Sequence, residues 1–156
     1  MGIDPGTAVT GYGVIHISDG RVSYISHGEI RIRRGIPLSR CLSDLYDQLA
    51  PIIRKAEPAA IALEDIFYGK NVKSLIKQGH ARGVIILAAA QAGIPLYEYS
   101  PLEVKKAVVG YGRAEKRQVQ HMVKACLALQ DVVPPDASDA LAVAICHAHH
   151  HKTDCI

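Results

Sequence analysis

The stretch MGIDPGTAVTGYGVIHISDGRVSYISHGEI, residues 1–30, determines the fold class because it predicts three successive β-strands. A short strand at Met1–Ile3 precedes two longer ones at Gly11–Ile17 and Val22–Ile30. Between the longer two, Ser18-Asp19-Gly20 contains the Asp-Gly pair that is typical of a tight hairpin turn. We therefore expect a sheet that begins with three antiparallel strands.

The rest of the chain alternates between helical and strand patterns. Helices are predicted where apolar residues recur every three or four positions, and strands where a short apolar run is bounded by Pro or by acids. The predicted helices are Pro37–Lys55, Val72–Ala92, Pro101–Val108, Ala114–Leu129 and Asp136–His150, and the predicted strands are Ala59–Leu63 and Pro95–Tyr99. This order indicates a single α/β domain over residues 1–156, with a mixed five-stranded sheet and helices on both faces.

Composition excludes several classes of protein. The 156 residues are 49% apolar, which is enough for a substantial core, and the formal charge of +3 is compatible with a polyanionic partner. The four cysteines are widely spaced, so we expect reduced thiols and neither a zinc site nor a disulfide framework. The sequence shows no secretory signal and no apolar run long enough to cross a bilayer, and a cytoplasmic location is expected.

Four carboxylates lie where they contribute little to folding: Asp4, Glu64, Asp136 and Asp139. Asp4 and Glu64 end predicted strands, at the edge where open α/β sheets bind ligands. Asp136 and Asp139 stand one turn apart at the start of the last helix. Each has an ordinary explanation, namely a turn at Asp4, the start of an exposed loop at Glu64, and a helix cap with a capping box at the pair.

Taken together, the four acids predict a metal site. Carboxylates that cluster in a poorly solvated place repel each other strongly unless cations lie between them. Hard oxygen ligands at this density suit Mg²⁺, with Mn²⁺ able to substitute. Two such ions could activate water for in-line displacement at a phosphate, and Asp4 is the best candidate for a bridging ligand because its strand is central.

Basic residues form two groups that are poor in acids. They either cover solvated helix faces or contact phosphates with salt-dependent affinity. The groups are Lys70, Lys73, Lys77, His80 and Arg82, and Lys105, Lys106, Arg113, Lys116, Arg117 and Lys124.

Two further features have an ordinary and a functional explanation. Phe67, the only Phe, follows Glu64 in a predicted loop, and it either wedges between bases or makes a core contact. The histidines of the C-terminal end, about 147–156, could bind a metal, but we expect a frayed helix end there.

Four segments resemble the bacterial RuvC family of crossover junction endodeoxyribonucleases, the Holliday junction resolvases. They are GIDPGTAVTGYGVI (2–15), EDIFYGKNVKSLIKQGHARGVI (64–85), VKKAVVGYGRAEKRQVQHMV (104–123) and DASDALAVAICHAH (136–149). The resemblance implies an RNase H-like fold and a homodimer that cleaves two opposed strands of a four-way DNA junction. It also implies two Mg²⁺ ions per active site, 5′-phosphate products, a role in homologous recombination and DNA repair, and partnership with the RuvA–RuvB branch-migration complex.

The resemblance also implies roles for individual residues. The family's catalytic, metal-binding acids correspond to Asp4, Glu64, Asp136 and Asp139. Its junction-contacting aromatic residue corresponds to Phe67, and its DNA-binding lysines correspond to Lys105 and Lys116. For the dimer, the apolar residues of the Val72–Ala92 helix offer a surface, although they could equally be core: Leu75, Ile76, Val84, Ile85 and Leu87.

Three other functions compete with this hypothesis. A nucleotide-binding protein of the actin and sugar-kinase superfamily would need a second domain to close over its ligand. A junction-binding protein without cleavage would be expected to lack one or more of the four acids. A related RNase H-like nuclease acting on RNA would lack the Phe67 loop and the basic segments.

Overall fold

A computed structural model describes residues 1–33, 35–65 and 72–151. Over these residues five strands form one mixed sheet in the order β3-β2-β1-β4-β5. β1 and β3 both pair with β2 in antiparallel fashion, whereas β4 pairs in parallel with both β1 and β5. The strands are β1 Gly2–Asp4, β2 Val9–Ser18, β3 Arg21–Arg31, β4 Ile61–Glu64 and β5 Leu96–Tyr99. The predicted mixed sheet is confirmed.

The hairpin between β2 and β3 turns at Asp19 and Gly20. Both residues have positive φ angles, 50° and 71°. Two consecutive left-handed residues match the right-handed twist of the flanking strands, which explains the preference for Asp-Gly at this position. Ser18, predicted as part of the turn, is the last residue of β2 and pairs with Arg21 directly across the turn.

Five helices complete the described part of the chain, close to their predicted bounds. They are α1 Leu38–Ala56, α2 Val72–Gln91, α3 Pro101–Val109, α4 Lys116–Cys126 and α5 Pro135–His151. α4 is shorter than predicted, and Ala128 beyond it has a left-handed φ of 51° that is incompatible with a continuing helix. α5 begins one residue earlier than predicted. Asp136 therefore lies inside the first turn, and the predicted N-cap role is wrong, although the carboxylate still complements the helix dipole.

Helices cover both faces of the sheet, and the alternation of strand side chains divides the core in two. On β4, Ile61 and Leu63 pack with Leu45 and Leu49 of α1 and with residues of α2. Ala62, between them, packs on the opposite side with residues of α3, α4 and α5. The predicted placement of helices on both faces is confirmed.

α5 packs unusually close to the sheet because glycines face it. A Cβ on Gly2 would overlap the backbone oxygen of Ala140, and a Cβ on Gly11 would overlap that of Asp136. A Cβ on Gly13 would collide with the side chain of Leu141. The missing side chains let the first turns of α5 lie directly against β1 and β2.

The histidine-rich end of α5 is helical as far as the structure describes it. The helix continues through His151, and residues 152–156 lie outside the described residues, so the frayed end remains a prediction. The Tyr99 hydroxyl lies 2.7 Å from Nδ1 of His147, and the Tyr97 ring packs 4.7 Å from the same imidazole. Burial, followed by the charges of His151 and the N-terminus, lowers the pKa of His147 to about 4. These contacts tie the last turns of α5 to β5.

Candidate functional site

Asp4 and Glu64 are brought together by strand register. β1 and β4 run in parallel with Gly2 opposite Ala62 and Ile3 opposite Leu63. Asp4 and Glu64 are the next residues of the two strands and the last of each. Their side chains share the face of Gly2 and Ala62, which is the face that α5 covers. The predicted meeting of these two acids at one sheet edge is confirmed.

Asp136 and Asp139 reach the same edge through α5. Asp4 pairs with Gly11 across β1 and β2, and Gly11 in turn contacts the backbone of Asp136. One helical turn later, Asp139 extends from the same end of α5. The first turns of α5 therefore lie beside Asp4, and all four predicted acids form one group, which we call the acid cluster.

Burial and the repulsion between neighbouring acids disfavour the ionised forms of Asp4 and Glu64. The pKa of Asp4 is raised to about 8, mainly by burial and then by the charges of Glu64, Asp139 and Asp136, while Lys116 opposes the rise. Burial also raises the pKa of Glu64, with a further contribution from Asp139. In the absence of a cation, the buried carboxylates thus retain protons above their ordinary range.

Lys116 lies within the acid cluster. Its ammonium group donates a hydrogen bond to Asp139 at 2.5 Å, from the first residue of α4. Even so, the pKa of Asp139 is raised, because burial outweighs the bonded ammonium. The hydrogen bond to Asp139 and the charges of the other acids raise the pKa of Lys116. Lys105, on α3, acts at longer range by lowering the pKa of Glu64.

The donor set fits hard divalent cations. Four carboxylates at one sheet edge supply oxygen ligands, which Mg²⁺ and Mn²⁺ prefer. Within the described residues, no three His, Cys, Asp or Glu side chains already enclose a position for a metal. This is the arrangement expected of mutually repelling acids with a lysine ammonium among them. A bound cation would replace that ammonium as the balancing charge and draw the carboxylates together.

The loop after Asp4 is held by Thr10, which sequence reasoning missed. Thr10 is fully buried, its hydroxyl donates to the Gly6 carbonyl at 2.7 Å, and it accepts from the Gly6 amide at 3.2 Å. This pair of bonds closes residues 6–10 into a compact turn behind Asp4. A lone Thr in the sequence gives no signal of such a role.

A groove of about 530 Å³ opens beside the acid cluster. Its walls are the loop 5–9, the start of α2 and Asp136. Lys77 lies on one wall, so the groove carries a basic residue as well as the carboxylate of Asp136.

The other predicted contact residues have mixed outcomes. Phe67 and Lys70 lie outside the described residues. Lys73, Lys77 and His80 are exposed on α2, but Arg82 is 8% exposed, so both explanations offered for it are wrong. On the same helix Ile85 is core, whereas Ile76 and Leu87 are exposed and could form an interface.

Comparison with known proteins agrees with the resemblance seen in the sequence. Residues 1–147 match the family model described as Crossover junction endodeoxyribonuclease RuvC. A relative with that name from Pelotomaculum thermopropionicum is 52% identical, over 97% of this chain and 93% of its own length. A second, from Ruminiclostridium cellulolyticum, is 50% identical, over 97% of this chain and 92% of its own length.

Solved structures give the same result for the fold. T. thermophilus RuvC in complex with Holliday junction substrate superposes with a TM-score of 0.91 and 30% identity, covering 98% of this chain and 94% of that one. The yeast mitochondrial Holliday junction resolvase Ydc2 superposes with a TM-score of 0.65 at 14% identity, covering 99% and 83%, and supports the fold alone. The predicted RNase H-like architecture is confirmed.

Proposed function

The chain belongs to the RuvC family of crossover junction endodeoxyribonucleases, and on that premise we propose that its acid cluster is the catalytic centre at which four-way DNA junctions are hydrolysed. It is a DNA-cleaving hydrolase that resolves Holliday junctions. We propose that Asp4, Glu64, Asp136 and Asp139 together hold two Mg²⁺ ions, for which Mn²⁺ can substitute. Such an ion pair, when bound, supplies an activated water and stabilises the leaving 3′ oxygen, giving 5′-phosphate ends.

One observation carries this proposal: the parallel register of β1 and β4, which ends both strands with a carboxylate at the same edge. Asp4 stands between Glu64 on one neighbouring strand and the start of α5 on the other side. A carboxylate in the middle of the group is suited to bridge two cations. Burial and the neighbouring acids raise the pKa of Asp4, so its ionised form needs a nearby positive charge, which a bound cation would supply.

Lys105 and Lys116 are proposed to contact the phosphates of the DNA. Both lie close enough to the acid cluster to influence its carboxylates. A phosphate entering between them would bring negative charge to ammonium groups that otherwise balance acids. Their position therefore favours contacts to the strand being cut, with salt-dependent affinity. Phe67, which lies outside the described residues, remains a proposed contact at the junction.

A homodimer is proposed to cut the two opposed strands symmetrically, because a junction with two-fold symmetry calls for two sites about one axis. α2 offers a surface for it, which we call the α2 face. Its members recur at helical spacing and are 38–58% exposed: Val72, Ile76, Ile86 and Leu87. An exposed apolar stripe of this kind is typical of a protein interface.

The cellular setting is also proposed. Junction resolution serves homologous recombination and DNA repair, and we place the enzyme in the cytoplasm with the RuvA–RuvB branch-migration complex as partner. No helix in the described ranges could span a membrane.

The proposal is tested by cleavage of synthetic DNA. Purified protein is incubated with a four-way junction and with a linear duplex of the same sequence, each in Mg²⁺ and in chelator. We expect cleavage of the junction in Mg²⁺ alone, with paired nicks carrying 5′-phosphates. Equal cleavage of linear duplex, cleavage of RNA in preference to DNA, or cleavage that survives chelation would overturn it, and binding without cleavage would indicate a non-catalytic junction-binding protein.

A further inference from the structure

Arg82 is a charged residue that is buried at a position where an apolar side chain would be expected. The buried polar and charged residues in the described part of the chain are Thr10, Arg82 and Ser138, so Arg82 is the one ionic member. It lies on the inner side of α2, beside the apolar residues Ala81 and Ile85. A guanidinium in such a place must be compensated by good hydrogen bonds, and an apolar side chain would have filled the volume without that requirement.

Among the described residues, acceptors for Arg82 come from the C-terminal ends of β4 and β5, beside the acid cluster. Nη1 donates to the backbone oxygen of Glu64 at 2.5 Å. Nη2 donates to a carboxylate oxygen of Glu98 on β5 at 2.6 Å, and it lies 3.4 Å from Oδ1 of Asp65. The planar fork of the guanidinium thus spans the ends of two neighbouring strands.

The peptide group that joins Glu64 to Asp65 is consequently fixed from both sides. Its carbonyl oxygen accepts from Arg82, and its N–H donates to the Tyr99 carbonyl at 2.8 Å. With both ends of the peptide bonded, the backbone torsion after the Glu64 Cα cannot rotate freely. The direction in which the Glu64 side chain leaves β4 is then fixed as well.

We propose that Arg82 is a positioning residue, which holds Glu64 in the direction needed to bind a divalent cation together with Asp4. The inference rests on the proposed function of the acid cluster. In this role Arg82 does not touch the reacting atoms. It orients the proposed metal ligand Glu64 by binding the backbone of Glu64. Residues that orient metal ligands in this way commonly change metal affinity or activity by about 10–100-fold when replaced.

The test compares Arg82→Met and Arg82→Lys with Ile85→Ala. Ile85 is a fully buried residue of the same helix, so its truncation destabilises the fold without removing a bond to Glu64. For each protein, single-turnover junction cleavage is measured against Mg²⁺ concentration, well below the Tm of every variant. The rise in Tm caused by Mg²⁺ is measured in parallel, as is junction affinity in chelator.

For Arg82→Met we expect the half-saturating Mg²⁺ concentration to rise about tenfold or more, with the Mg²⁺-induced rise in Tm reduced and junction affinity within about twofold of wild type. Arg82→Lys keeps the charge but not the planar guanidinium, and one ammonium cannot span both strand ends. Its half-saturating Mg²⁺ concentration should therefore lie between those of wild type and Arg82→Met. Ile85→Ala should keep the wild-type half-saturation. An unchanged half-saturation in Arg82→Met, or the same shift in Ile85→Ala, would overturn the proposal.

A readout without metal separates this inference from the proposed function. Hydrogen exchange of the Asp65 amide is measured by NMR in chelator. It should be faster in Arg82→Met than in wild type. In Ile85→Ala, the exchange rate of the Asp65 amide relative to those of the adjacent amides should be the same as in wild type. If wild type fails to cleave junctions, the proposed function fails, while the Asp65 amide still decides whether Arg82 holds this peptide. Unaltered exchange in Arg82→Met would reject that role.

Discussion

Nζ of Lys116 lies 2.5 Å from a carboxylate oxygen of Asp139, which places a lysine proposed to bind DNA within hydrogen-bonding distance of a proposed metal ligand. The two residues come from different helices, α4 and α5, and are separated by 23 positions in sequence. The ammonium lowers the pKa values of Asp4, Glu64 and Asp139, against the burial that raises all three. Lys116 therefore helps to set the ionisation of Asp4, Glu64 and Asp139.

Replacing Lys116 by Met should move the pH dependence of cleavage as well as its rate. Without the ammonium, the pKa values of the acids rise further, so the acidic limb of the rate profile shifts to higher pH. The rate near neutral pH should fall on the order of 100-fold, as for loss of a charge-stabilising group in an active site. The measurement is the single-turnover rate from pH 6 to pH 9.

Lys124→Met is the matched control for this experiment. Lys124 is exposed on the same helix, and its ammonium donates to the Gln130 carbonyl at 2.9 Å, away from the acids. Its loss should leave the pH profile in place. If Lys116→Met only weakened junction binding, with the acidic limb unmoved, Lys116 would be a phosphate contact and nothing more.

Asp4 should make the metal-free protein less stable as pH rises. The folded-state pKa of about 8 exceeds the ordinary value of 3.8, so between these values the folded state binds more protons than the unfolded state. Stability is then greatest at low pH within this window and is lost as pH rises toward 8, by up to about 1.4 kcal/mol per pH unit. Asp4→Asn removes this dependence, so between pH 5.5 and pH 7.5 in chelator wild type should lose up to about 2.7 kcal/mol more stability than the variant. Thermal melts at pH 5.5 and pH 7.5 measure it.

The same variant separates catalysis from binding. Asp4→Asn should abolish cleavage because it removes a proposed metal ligand, yet it should bind the junction with nearly wild-type affinity because it leaves the proposed phosphate contacts in place. Mg²⁺ should also raise the Tm of wild type more than that of the variant. Parallel loss of binding and cleavage would assign Asp4 a structural role.

Much of this architecture could be predicted from sequence because it depends on local patterns. The Asp-Gly turn at Asp19–Gly20, the helical periodicity of α1 and the acids at strand ends each have a short-range signal. Arg82 and Lys116 could not be assigned in this way. Whether a basic residue faces solvent or the acids depends on which side of a helix packs inward, and α2 has apolar residues on more than one side.

The close contact between α5 and the sheet also could not be predicted from the sequence. The glycines at positions 2, 11 and 13 alternate along strands where an ordinary side chain would be expected. Their purpose emerges only when α5 is seen to lie where their Cβ atoms would be. The close approach that places Asp136 beside Asp4 therefore depends on tertiary packing.

Thr10→Val should loosen the turn behind Asp4. Valine has nearly the shape of threonine, but it leaves the Gly6 amide and carbonyl without the bonds that the buried hydroxyl provides. We expect a loss of about 1–3 kcal/mol in unfolding free energy and a lower cleavage rate. Thr10→Ser keeps the hydroxyl and should retain most of the activity. Denaturant unfolding and single-turnover cleavage are the measurements, and equal activity of the Val and Ser variants would contradict the role.

The α2 face should determine the oligomeric state. Ile76 and Leu87 are 56% and 51% exposed and lie on one side of the helix, so a glutamate at either position would put a charge into an apolar interface. We expect analytical ultracentrifugation to find the proposed dimer for wild type and monomers for Ile76→Glu and Leu87→Glu. Because paired cuts need two sites, the monomers should release nicked junctions in place of resolved products. Ile25→Glu, at a residue 55% exposed on β3, is the control and should remain dimeric. Dimers in all three variants would place the interface elsewhere.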